Sequence, residues 1–200
     1  MREKYVDNEQ IRSFIAIELP QELKSGLLKL QAELKLSGCT FVKWVDPEGI
    51  HLTLKFLGNI PAQKVDEVIR ALVKASEEIL PFQLETSDLG AFPNLNRPNV
   101  FWLGIGGDVA KLSILQKRVD DVLEPKGFPK EKRAFTPHLT LARIRETASP
   151  QNRRDFGELI ARAKFEVRYM IKVTSISLMR SQLLPGGAVY SRLFEGTLSG

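Results

Sequence analysis

The sequence predicts a mixed helix-and-strand fold built as two related lobes, and three observations carry that expectation. The tetrapeptide His-Leu-Thr-Leu occurs twice, starting at His51 and at His138, and these are the only two histidines in the chain. The histidines lie 87 positions apart, and so do Phe14 and Phe101, each inside the strand expected to open its half. Apolar periodicity then switches between two and 3.6 in the same order in each half, giving strand, helix, loop, motif and helix. That order predicts one two-lobed domain over residues 1–200, with a repeat offset of 87 and pseudo-two-fold symmetry.

In the first half, Ile11 to Glu18 has strand composition with apolar residues on both faces, as in a central strand. Pro20 suits a helix start, and Leu23, Leu27, Leu30 and Leu34 follow at helical spacing to a stop at Ser37-Gly38. Phe41 to Val45 leads through Asp46-Pro47-Glu48-Gly49 into the first motif strand, Ile50 to Leu57. Pro61 opens a helix with an apolar stripe from Val65 to Val73, Pro81 closes it, and Phe82 to Leu89 is the next strand.

After the turn-rich stretch Gly90 to Pro98, the second half opens with the buried strand Val100 to Ile105. Asp108 is placed to cap a helix carrying Leu112, Leu115 and Val119, and a loop with Pro125, Gly127 and Pro129 precedes the second motif. Ser149-Pro150 starts a late helix. Phe165 to Met179 then predicts one long strand, with a bulge where the apolar parity shifts at Ile176 and Leu178. Pro185-Gly186-Gly187 makes a turn into a last strand, Val189 to Leu198.

Composition narrows the function classes. The single Cys39 forbids an internal disulfide and a cysteine metal cluster, and no run approaches bilayer length. With a polar opening from Met1 to Gln10, a soluble, cytoplasmic, monomeric protein is the expectation. Net charge is +5, and Arg143 to Arg180 alone holds nine Lys and Arg against four Asp and Glu, a surplus as large as the whole chain's. That bias points to a polyanionic partner such as RNA, although basic surplus is also common on solvated faces.

An isolated histidine in an apolar run is more often a packed core residue than a catalyst. Two identical tetrapeptides that use up every histidine argue for chemistry instead, because imidazole exchanges a proton near neutral pH without a large shift. Alternation places His and Thr on one strand face and the two leucines on the other. If the lobes face each other, His51, Thr53, His138 and Thr140 meet in a central cleft. There one imidazole takes a proton from an attacker at phosphorus and the other gives one to the leaving oxygen, with no metal ion and no cofactor.

Around these segments stand Arg12-Ser13-Phe14-Ile15-Ala16-Ile17, Lys43-Trp44-Val45, Lys55-Phe56-Leu57-Gly58 after the first motif, Ala142-Arg143 after the second, Leu178-Met179-Arg180-Ser181 and Gly187-Ala188-Val189-Tyr190. Over nearly its whole length the chain resembles the RNA 2′,3′-cyclic phosphodiesterases, also called the 2′-5′ RNA ligase family, of the two-histidine phosphoesterase superfamily. The resemblance implies a bilobal α+β fold with an antiparallel sheet and flanking helices in each lobe, and a cleft between them. It implies hydrolysis of an RNA 2′,3′-cyclic phosphate end to a 2′-phosphate; from composition, no membrane partner is expected. It further implies His51 as proton donor, His138 as proton acceptor, Thr53 and Thr140 on phosphate oxygens, and Arg143 as a phosphate partner.

Strand parity turns Arg143 away from the His and Thr face unless the strand ends or bulges first. Lys55 has the parity to sit beside His51 and Thr53, although an exposed lysine is the commoner case; Phe56 has core parity. Trp44 either walls the cleft or fills core, and Cys39 has no evident base to activate it. Two other functions remain open: a 2′-5′ RNA ligase, running the displacement backwards, and an RNA-binding module without turnover.

Overall fold

The computed structural model describes residues 9–185 and 187–200; most of the polar opening and Gly186, the middle of the expected turn, lie outside them. The first half contains β1 (Gln10–Ile17), α1 (Gln21–Lys35), β2 (Val42–Trp44), β3 (Leu52–Pro61), α2 (Val65–Ser76) and β4 (Phe82–Phe92). The second contains β5 (Val100–Gly107), α3 (Val109–Leu123), β6 (His138–Ile144), α4 (Pro150–Arg162), β7 (Met170–Val173), β8 (Ser175–Leu184) and β9 (Gly187–Thr197).

Local signals act largely as expected. Leu23, Leu27, Leu30 and Leu34 bury one face of α1. Ser149 and Asn152 exchange bonds in a capping box that starts α4, with Pro150 in the first turn. Asp108 departs from expectation: its carboxylate pairs with Lys111 and leaves the start of α3 without a side-chain cap. Pro61 ends β3, and a single 3-10 turn intervenes before α2.

All ladders between these strands are antiparallel and follow the order β7-β4-β5-β6-β3-β1-β8-β9, with β2 beside β6. The halves of this path, β7-β4-β5-β6 and β3-β1-β8-β9, join through one residue pair, Leu52 with Leu139. The long strand expected over Phe165 to Met179 is instead two: β7 pairs with β4 in one half and β8 with β1 in the other, with only Thr174 between them. The parity shift near Ile176 thus marks a crossing between halves, where the Thr174 carbonyl accepts from Leu198 N at 2.8 Å. Because β7 and β8 are adjacent in the chain yet far apart in the strand order, the sheet curls.

The helices lock the halves together. α1 leaves β1 but packs on the other half: Gln31 donates to the carbonyls of Val45 and Leu141, and the Tyr169 ring rests on Gly26, where any side chain would strike it. α3 leaves β5 and packs against α2 and β3. One continuous core therefore underlies both halves, with the fully buried Phe156 of α4 against Phe101 and Trp44. Trp44 fills core and does not wall a cleft. Among the described residues no helix is long and apolar enough to cross a membrane.

Each motif strand carries the same bulge. Going along β1, the partner of Ile15 is Lys55 and that of Ala16 is Thr53, so Leu54 is the extra residue. Along β5, Phe101 faces Ala142 and Trp102 faces Thr140, which makes Leu141 extra. Bulges reset the alternation of faces. The registers also correct the repeat count: the motif strands correspond at 87, whereas Ile15 and Phe101 hold equivalent places, an offset of 86. Phe14 therefore corresponds to Val100, and Phe101 lies on the opposite, core face.

The bulge sends Lys55 inward. Its ammonium, 2% exposed as a residue, pairs with Asp120 of α3 and donates to Pro129 O at 2.8 Å, while Gln116 donates to the other Asp120 oxygen. The place expected beside His51 is thus vacated, because two hidden acceptors hold the lysine in the core. Removing one partner from such a pair strands a buried charge and typically costs about 3–5 kcal/mol. Asp120→Leu should therefore lower unfolding free energy in urea by roughly that much, and Lys55→Met in the same chain should restore most of it. Additive losses would show that the pair is not coupled.

Candidate active site

The joint between the halves organises the site. With Leu52 opposite Leu139 and both fully buried, antiparallel register sets Thr140 opposite His51 and Thr53 opposite His138. All four project from the face opposite the helices, and the two histidines stand on a diagonal of about 7–8 Å in regular pairing. All four are half-buried, and neither threonine hydroxyl has a hydrogen-bond partner among the described residues.

The imidazoles are held alike. His51 Nδ1 lies 2.8 Å from Gly49 O and His138 Nδ1 lies 2.7 Å from Thr136 O, in each case the carbonyl two residues earlier. A carbonyl only accepts, so Nδ1 carries the hydrogen and Nε2 is left for the cleft, as acceptor when neutral and donor when charged.

Aromatic rings make the walls. Phe14 stacks on His51 with centroids 4.3 Å apart, and Tyr190 meets the imidazole edge-on at 5.1 Å. Phe92 meets His138 edge-on at 5.0 Å, and Trp102 stands behind at 6.5 Å. Burial pushes the His51 pKa below its usual 6.5, and the Gly49 bond and nearby Glu18 pull the other way. Glu18 is held by Ser177 Oγ at 2.6 Å and Arg192 at 3.1 Å.

The bulges deliver two further side chains. Beyond Leu141, Ala142 turns into the core and Arg143 is exposed on the histidine face, which removes the parity objection. At the equivalent place in β3, Phe56 is 58% exposed and its ring sits 6.2 Å from Phe14, so its expected core position is overturned. Burial raises the Tyr190 phenol, against the positive charge of Arg143 and Arg12. Arg143, from one half, thus approaches the aromatic wall of His51 in the other.

Sequence reasoning found the four motif residues and Arg143 but missed Phe92, Trp102, Tyr190, Arg12 and Glu18 as neighbours of the site. Phe14 and Ala16 had been readable as a second buried face of β1; with Met179 they form a small cluster on the cleft side. The Cys39 thiol has only the Ser37 hydroxyl as a polar partner among the described residues. Nowhere among these residues do three His, Cys, Asp or Glu side chains gather as metal ligands.

The chain matches the family model described as LigT like phosphoesterase over residues 17–102 and 107–190. It is 34% identical to an RNA 2′,3′-cyclic phosphodiesterase of Aquifex aeolicus over 95% of this chain and 98% of that protein. A protein of the same name from Methanothermobacter thermautotrophicus is 33% identical over 91% and 96%. The crystal structure of Escherichia coli LigT complexed with 3′-AMP superposes with a TM-score of 0.74 at 25% identity, covering 96% of this chain and all of that one. Thermus thermophilus TT0787 gives 0.74 at 26% identity, covering 94% and 98%.

With two histidines in the chain, proton NMR separates their titrations. The His51 imidazole should titrate below 6.5. Phe14→Ala, which admits water, should move it upward; Glu18→Gln, which removes a nearby negative charge, should move it further down. No response to either change would contradict this account of its environment.

Proposed function

The chain belongs to the LigT like phosphoesterase family and is an enzyme, and from that footing we propose that it hydrolyses the 2′,3′-cyclic phosphate at the end of an RNA, leaving a 2′-phosphate. The observation that carries the reading is the pair of Nε2 atoms, presented from one sheet face by identical Nδ1 bonds on either side of the Leu52–Leu139 pair.

In the proposed scheme His138 Nε2 takes a proton from water as its oxygen attacks phosphorus. The bond from phosphorus to the 3′-oxygen breaks, and His51 Nε2–H protonates the departing oxygen. Thr53 and Thr140 donate hydroxyl hydrogens to the phosphate oxygens, and the Arg143 guanidinium offsets the charge that builds there. Solvent then resets both imidazoles. No step calls on a metal ion, and the hydroxyls without protein partners support the phosphate role.

One observation favours the reverse assignment: burial favours the neutral form of the His51 imidazole, as suits a base. Leaving-group chemistry separates the two. His51→Ala and His138→Ala should each lower turnover by roughly 100-fold or more. With a leaving group that needs no protonation, His51→Ala should regain most activity while His138→Ala stays impaired; the converse pattern exchanges the roles.

The pH profile gives an independent check. As the acid, His51 must be protonated, so activity falls as pH rises through its pKa. In the free enzyme that pKa is lowered, which places the alkaline limb of kcat/KM below 6.5. A bound phosphate anion favours the imidazolium, so the limb in kcat should lie at higher pH. A kcat limb at or below that of kcat/KM would count against His51 as the acid.

A further inference from the structure

We infer that the RNA upstream of the reacting end leaves the cleft along β6 and is held by a track of arginines that starts at Arg143 and ends in a groove at the start of α4. The inference rests on the RNA-end reading above and adds where the rest of the strand lies.

The cations of the basic stretch Arg143 to Arg180 are not equivalent. Arg162 pairs with Glu158, Lys164 with Glu166, Arg168 with Asp88 and Arg180 with Glu9. No carboxylate among the described residues pairs with Arg143, Arg145, Arg153, Arg154 or Lys172. Lys172 stands apart on β7, whereas Arg143 and Arg145 lie at the end of β6, Arg153 donates to the Arg145 carbonyl, and Arg153 and Arg154 line one groove. Lys43 joins them: it is the direct cross-strand partner of Arg143, so both side chains share a face, and it too is exposed without an acid. Two adjacent cations repel, and the arrangement is relieved when an anion lies across both.

The track continues where β6 ends. Arg145 follows Arg143 by two residues on the same face, roughly 7 Å along a strand. There a groove of about 480 Å³ opens between the 94–98 loop and α4, lined by Asn96, Arg97, Arg153 and Arg154, with Glu146 its one acid. Arg153 spends its donors on neutral acceptors, Pro98 O at 2.8 Å, Asn99 Oδ1 and Arg145 O, which fixes the guanidinium while leaving its charge uncompensated. Arg154 bonds only the neutral Gln151, and the Arg97 side chain has no partner among the described residues. The loop carrying Arg97 is seated directly on α4, since the Leu95 carbonyl lies where any side chain at position 157 would be. The groove is therefore built by packing and carries its positive charge on rigid supports.

The opposite exit has different chemistry. A groove of about 410 Å³ beyond Phe56 is lined by Lys64 and Glu131, and Lys64 is already bonded to Lys126 O and set over the Phe128 ring. It offers one engaged cation balanced by an acid. Of the two grooves, the one on the β6 side carries the larger uncompensated positive charge.

The test compares a 2′,3′-cyclic mononucleotide with an eight-nucleotide RNA ending in the same group, using wild type and Arg97→Ser/Arg154→Ser; both positions are exposed, so the fold is not at stake. The ratio of octamer to mononucleotide kcat/KM should fall tenfold or more in the variant, mainly through KM. Octamer binding by fluorescence anisotropy should weaken as salt rises in wild type, and the variant's slope should be shallower by about 0.7 per lost phosphate contact. The control Arg162→Ser/Arg168→Ser should leave ratio and slope as they are. An unchanged ratio and slope in the arginine variant, or an equal change in the control, would overturn the track. Wild type that binds the octamer through these arginines yet leaves its cyclic phosphate intact would keep the track and overturn the hydrolytic reading.

Discussion

The contact on which the site depends is the pairing of Leu52 with Leu139. Among the described residues it is the one residue pair that joins β3 to β6, and both side chains are completely buried. Because side chains alternate along a strand, driving these leucines into the core forces the flanking His51, Thr53, His138 and Thr140 onto the other face. The hydrophobic effect thus assembles a polar site without any polar residue having to find its partner. The crossed packing of α1 and α3 holds the joint closed, since neither half can move without dragging a helix through the other's core.

From this symmetric frame the bulges make an asymmetric site. The same extra residue ends both motifs, yet the positions it exposes hold Phe56 in one half and Arg143 in the other. Both imidazoles have aromatic walls, but the wall of His51 also has an exposed phenylalanine beside it and faces the charge of Arg143 from the other half. Burial lowers the His51 pKa. Two imidazoles in identical backbone settings thus have different surroundings, as a two-proton displacement with separate roles can use.

How much of this was legible in the sequence follows from where apolar parity was visible. The motif faces were, because leucine alternates cleanly with His and Thr. The bulge in β6 left a trace: apolar positions shift from Leu139 and Leu141 to Ala142 and Ile144. In β3 the same shift is masked, because the inward place falls to a lysine whose acceptors, Asp120 and Pro129, lie 65 and 74 residues away. Parity alone also misled, since a comparable shift after Val173 marks a crossing between halves at Thr174 and not a bulge. Periodicity reports that faces exchange; only pairing partners tell how.

Lys55 ties these features into one device. It sits two positions after Thr53, and its ammonium holds Asp120 of α3 and the Pro129 carbonyl in the loop leading to the second motif. The residue displaced by the first bulge thus anchors the segment that aims the second histidine. Hydrophobic residues in place of both Lys55 and Asp120 would pack as well and would keep most of the stability. What they would not supply is direction, because methyl groups can slide past one another and an ammonium among fixed oxygens cannot. The buried charge therefore makes best sense as a means of setting where the loop to His138 lies, with the cleft geometry on the far face inheriting that precision.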